Sequence, residues 1–183
     1  MADDKAPKDY GIGGSGSADG GYPQCLLRRK PGLSVQAFQA GWLEHARFGM
    51  PWAADCGMTH YVQIVNPTVA NPAAMPAGVA IEDFDAVAEI RIPSEAPGSE
   101  ADKAIRGAYF EQCIIPDECR YFAGPNRDLA VWIPPGTATG KRIEVMVDGE
   151  WVKDAHGKPV IDLEQSTKDY EDWKKKYRAE HKL

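Results

Sequence analysis

Residues 84 to 92 read Phe84-Asp85-Ala86-Val87-Ala88-Glu89-Ile90-Arg91-Ile92. Phe84, Ala86, Ala88 and Ile90 take one set of alternate positions; Asp85, Glu89 and Arg91, with Val87, take the other. A period of two sends successive side chains to opposite faces of an extended chain, so this stretch predicts a strand with one apolar face. Upstream, Met58 to Val65 is rich in Tyr, Val and Ile and predicts a second strand, while Pro67, Pro72 and Pro76 make the interval a loop. Cys25-Leu26-Leu27 is a short apolar run ended by Arg28-Arg29-Lys30-Pro31-Gly32, a strand followed by a turn. Between these strands Ser34 caps a helix. Phe38, Trp42 and Leu43 recur at helical spacing, with Val35 one turn earlier, and Gly49 and Pro51 end the helix near His45 or Phe48. Downstream, Ser99 opens another helix with Ile105, Ala108 and Tyr109 on one side, and Pro116 ends it. A fourth strand comes from Tyr121-Phe122 or from Leu129 to Ile133. Strand, helix, strand, strand, helix, strand is the split β-α-β pattern of an α+β domain.

This domain spans residues 22–133. Residues 1–21 are short of large apolar groups and rich in Gly, Asp and Ser, the composition of a flexible tail. Their Gly11-x-Gly13-x-x-Gly16 lacks the preceding strand and following helix that a dinucleotide site needs. Gly136 to Lys141 is one residue short of a phosphate loop, and Arg142 stands where a Ser or Thr belongs. Residues 134–183 form an extension. Arg142 to Val147 and Trp151 to Lys153 predict a hairpin around Asp148-Gly149, and Val160 to Leu163 a further strand. Ser166 caps a last helix, with Asp169 in the capping-box position and Tyr170, Trp173 and Tyr177 as its apolar stripe. An exposed aromatic stripe is unfavourable, so this helix docks on its own domain or wraps a partner subunit.

The chain has 183 residues, 43% hydrophobic and 26% charged, which suits one globular domain with extensions. A net charge of -6 lacks the basic footprint of nucleic-acid binding. No apolar run is long enough for a membrane span or a signal peptide, so the expected location is cytoplasmic. Cys25, Cys56, Cys113 and Cys119 match no zinc spacing and read as reduced thiols, so no metal is expected.

Leu26-Leu27-Arg28-Arg29-Lys30-Pro31-Gly32-Leu33-Ser34 resembles the start of an EthD-type domain, and its helix ends in the matching Trp42-Leu43-Glu44-His45. His60-Tyr61-Val62-Gln63 and Pro116-Asp117-Glu118, followed by Phe122, agree in the same order, so the resemblance covers about Tyr22 to Pro125. Arg47 stands where the family often has Pro, which allows the helix to run on, and the insert from Pro67 to Ile81 is unusual, a lid or a loop. The resemblance implies a ferredoxin-like α+β fold whose sheets close a barrel across a homodimer. It also implies a cofactor-free activity on a small aromatic or polyketide substrate in secondary metabolism: lyase chemistry (decarboxylase, dehydratase or cyclase), or oxygenation of an anthrone-type phenol. A non-catalytic binding module is the third reading.

Histidine is the commonest proton shuttle near neutral pH, and His45 and His60 are the candidates, since His156 falls in a turn and His181 at the chain end. Each also has a plain structural reading: His45 as a helix-end residue bonding a carbonyl, His60 as a satisfied strand residue. If helices cover one face of the sheet, the other face is free to line a pocket, and Asp85, Val87 and Glu89 then point into it. Asp85 and Glu89 are about 13 Å apart on an extended strand, too far for a carboxylate dyad, so each would orient a histidine. Either His60, Val62 and Ile64 or Tyr61, Gln63 and Val65 join them. Trp42, Phe48 and Trp52 offer aromatic surface near His45, as core or as a stacking face, and Arg47 could hold a substrate carboxylate.

Overall fold

The computed structural model describes residues 21–183, so the tail reading and the first glycine motif lie outside the described residues. Six strands form one antiparallel sheet: β1 (Gln24–Leu27), β2 (His60–Val69), β3 (Ala86–Arg91), β4 (Val131–Ile133), β5 (Ala138–Val147) and β6 (Glu150–Trp151), in the order β4-β1-β3-β2-β5-β6. The first four strands alone, in the order 4-1-3-2, are the split β-α-β arrangement. The fourth strand is the Val131 segment, while Phe122 makes only an isolated bridge to Arg29.

Helix α1 (Val35–Asp55) begins where expected, with Ser34 Oγ accepting from the Ala37 N–H at 3.1 Å. It does not stop at Gly49 or Pro51. Phe38, Trp42, Ala46, Met50 and Ala53 form one buried stripe that continues past both residues. Burial of that stripe outweighs the one backbone hydrogen bond a helical proline gives up. Helix α2 (Glu100–Tyr109) carries a complete capping box between Ser99 and Asp102. Pro116 does not end this helix either. A wide π-type turn over Phe110–Ile114 leads into α3 (Ile115–Tyr121), where Pro116 sits in the first turn and its missing N–H costs little. Gly41 on α1 faces the Tyr121 ring, which a Cβ there would overlap. That close approach brings α3 against α1 one turn before His45. A single turn, α4 (Asn126–Leu129), then leads to β4.

The residues after 134 are woven into the sheet. β5 pairs with β2 along most of its length, and Asp148 and Gly149, at φ 50° and 82°, make the two-residue turn into β6. β6 ends at Trp151, earlier than the expected Lys153, and Val160 to Leu163 forms no strand. Helix α5 (Glu164–His181) starts before Ser166, whose Oγ bonds the Leu163 carbonyl at 3.2 Å instead of capping; Asp169 accepts from Gln165. The aromatic stripe docks on its own chain. Tyr109 meets Tyr170 and Trp173 edge-on at 4.6 and 5.0 Å, and Tyr170 donates to Asp55 at 2.7 Å.

The helices cover the sheet face that carries Cys25, Leu27, Tyr61, Val65, Ala86 and Ala88. The opposite face was expected to be free and is not. Asn66 at φ 53° and a register shift between Val65 and Thr68 bend β2 over that face, and β5 follows. Val69, Met75, Val79, Ile81, Phe84 and Ala138 then pack on Leu26, Val62, Ile64 and Val87, which are fully buried. The insert is thus a lid over the face on which a second sheet would pack in a two-chain barrel. Phe84→Ala is expected to cost about 3 kcal/mol by urea denaturation, because it opens a cavity under that lid.

Candidate active site

A cavity of about 440 Å³ lies between the sheet and the helices. It exists because small side chains meet across the two layers: Cys25 and Ala88 on the sheet, Ala46, Gly49 and Ala53 on α1, Gly107 on α2. Trp42, Met50, Trp52, Phe110 and Ile114 complete apolar walls, and the volume suits a small organic molecule. The wide turn before α3 brings both Phe110 and Ile114 to the wall.

His45 lines this cavity, and its Nδ1 lies 2.7 Å from Asp117 Oδ2. Each side chain keeps only 12% of its exposure. Burial pushes the Asp117 carboxyl up, but the bonds from His45 and from Arg120 (2.8 Å) outweigh it and hold the group below its ordinary value. Asp117 therefore stays ionised and accepts the Nδ1–H, which leaves Nε2 without a proton of its own and able to accept one.

Glu118, the next residue, lines the same cavity and is buried. Burial raises its carboxyl above the ordinary 4.5, and the bonds from Asn126 N (3.0 Å) and Nδ2 (3.2 Å) only partly oppose this. The folded state thus binds the Glu118 proton more tightly than the unfolded chain, so its contribution to stability is present below pH 4.5 and is lost as pH rises through the raised value. Glu118→Gln is accordingly expected to raise the melting temperature relative to the native chain at neutral pH, with the gap closing below pH 4.

Tyr61 reaches the cavity from β2. Burial pushes its phenol well upward, so the hydroxyl keeps its proton, and it accepts from Gln63 Nε2 at 3.2 Å. Gln63 sits behind it and also donates to the Trp42 carbonyl at 3.0 Å. Cys25 and Cys56 line the cavity too; burial pushes both thiols up to about 12, so neither is a thiolate near neutral pH.

The remaining expected site residues lie elsewhere. His60 and Glu89 occupy the lid-covered face. Glu89 accepts from Arg142 (2.8 and 3.1 Å) and Gln24 (3.2 Å), and its Oε1 is 3.0 Å from His60 Nε2. Gln24 in turn bonds both backbone groups of Ala138, and the Tyr22 ring stacks on His60 at 3.6 Å. Burial pushes Glu89 up, the bonds outweigh it, and the carboxyl is held down to about 2. Asp85 binds Arg29 N and Nε at 3.0 and 2.7 Å and reaches no histidine. Arg47 is partly exposed and paired with Glu44, away from the cavity lining, and Phe48 stacks on Tyr109 outside it. The fold therefore brings together His45, Tyr61, Trp42 and Trp52. It adds Asp117, Glu118 and Arg106, for which the spacing of residues held no signal. Among the described residues no group of three His, Cys, Asp or Glu could hold a metal ion.

The family model for the EthD domain matches residues 30–125, just over half of the chain. The chain belongs to the EthD domain family. The matched span of this EthD domain runs from the β1–α1 turn to the turn after Phe122, and so contains His45, Tyr61, Asp117 and Glu118. Searches of curated proteins and of solved structures return no match. Among the described residues no helix is long and apolar enough to cross a membrane.

Proposed function

We propose that this EthD domain is an acid–base catalyst: a cofactor-independent lyase acting on an aromatic polyketide or similar β-keto acid. The observation that carries this reading is the His45–Asp117 pair, with the Glu118 carboxyl beside it, opening on a largely apolar cavity. Loss of carbon dioxide from such a substrate leaves an enolate that takes up a proton, and loss of water passes through an enolate that forms when the α-proton is removed and collapses as hydroxide leaves. His45 Nε2 removes or returns the proton, Asp117 holds the imidazole in the required tautomer, and Glu118 is an acid in reserve. The Tyr61 hydroxyl is a donor for the developing oxyanion, and Trp42 and Trp52 exclude water and stack on a flat substrate. The homodimer is part of the proposal, on a surface other than the lid-covered face, since that face is already filled.

Trp52 at the cavity wall also favours a second reading, oxygenation of an anthrone-type phenol. The deciding experiment incubates the full chain with aromatic β-keto acids without oxygen and follows carbon dioxide release and deuterium uptake at the α-carbon. Turnover that persists supports the lyase. Turnover that requires oxygen supports the oxygenase, and binding without turnover or deuterium uptake supports a binding module.

A further inference from the structure

Arg106 projects from α2 into the same cavity, at the end away from His45, and only 5% of the residue is exposed. Its Nη2 donates to the Pro97 carbonyl and its Nη1 is 3.9 Å from Asp55, beyond hydrogen-bond range. Its Nε is buried and has no partner among the described residues. A buried donor without an acceptor costs free energy, more so on a charged group, and a guanidinium offers Nε and Nη2 as one fork that fits a carboxylate side-on. Asp55 does not pair with Arg106 at close range: it also lies 3.4 Å from Lys174, which pairs with Glu171 at 2.8 Å as well, and it accepts from Tyr170. Lys103, which lines the cavity as well, is already paired with Glu100 at 2.7 Å.

The two polar poles are well separated. His45 and Asp55 are ten residues apart on α1, about 15 Å along the helix axis. We propose that Arg106 is the anchor for a carboxylate at the far end of an elongated ligand whose apolar body fills the cavity toward His45. This rests on the cavity being the substrate site and narrows the substrate class: the anchored carboxylate is a handle, distant from the carbon that exchanges a proton at His45, and is not the group lost in a decarboxylation there.

The test measures binding alone, so it stands or falls separately from turnover. Titration calorimetry of the full chain compares 6-(2-naphthyl)hexanoic acid with its primary amide, which has the same shape and no charge. The acid is expected to bind about ten- to a hundredfold more tightly. Arg106→Gln should bring that ratio close to one, and Arg106→Lys should leave an intermediate ratio, because an ammonium keeps the charge and loses the fork. His45→Gln should leave the ratio intact. Equal affinity of acid and amide for the native chain overturns the anchor without recourse to any variant. So does a preference that survives Arg106→Gln, or binding of neither compound at millimolar concentration. A lost anchor with intact His45-dependent turnover leaves the acid–base reading standing, and the converse result leaves the anchor standing.

Discussion

A His45→Gln chain is expected to lose about 10²- to 10⁴-fold in turnover while still binding substrate, since in the proposed mechanism the imidazole moves the proton and the cavity walls do the binding. Asp117→Asn should lower turnover as well, because an amide in that place no longer fixes the ring tautomer. The expected pH dependence has a definite sign. Asp117 lies below its ordinary value and is ionised throughout the working range, so it sets no acid limb there. Glu118 lies above its ordinary value; where its proton is used, the rate falls as pH rises through that raised value. Glu118→Gln should abolish that limb. Initial-rate profiles of the three variants on one substrate check the set, and full turnover in His45→Gln would remove the acid–base proposal.

Glu89→Ala is expected to lower unfolding free energy by about 3–5 kcal/mol, with little change in substrate affinity. The carboxylate ties four strands together. It sits on β3, binds Arg142 of β5, His60 of β2 and Gln24 of β1, and Gln24 ties the start of β5. Its removal leaves a guanidinium without its bidentate partner and a buried imidazole whose Nδ1 already has none among the described residues. With the folded value near 2 against an ordinary 4.5, the stabilisation from this carboxylate is complete above pH 4.5 and is lost as pH falls through 2. The gap between native and variant chains in urea titrations should therefore be full at pH 7 and shrink toward pH 2. A large loss of substrate affinity with normal stability would instead place Glu89 in a binding role.

Local signals read well where a short stretch decides the outcome. The alternation at β3, the Ser34 and Ser99 caps and the Asp148-Gly149 turn each depend on a few neighbouring residues, and each holds in the structure. Pro51 and Ser166 are a breaker and a cap by local preference, and each lies inside a helix whose burial outweighs that preference, while Pro116 sits in the first turn of α3, where a proline costs little. At the site, His45, Tyr61, Trp42 and Trp52 were legible as residue types near one helix end and one strand. Asp117 and Glu118 were visible only as part of a motif, and Arg106 not at all, because no periodicity links residues 61 to 73 positions apart to His45.

The sequence by itself determined the order of the first three strands and the first two helices, because alternation and capping act over a few residues. The tertiary structure alone decided which sheet face holds the cavity. Strand alternation assigns side chains to two faces without naming the one that stays open. Here the bend after Val65 folds the insert onto the face of His60 and Glu89, and small residues between the sheet and α1 leave the hollow on the other side. Contacts between distant parts of the chain, such as His45 with Asp117, arise only when those layers close, and Gly41 sets how closely they do so.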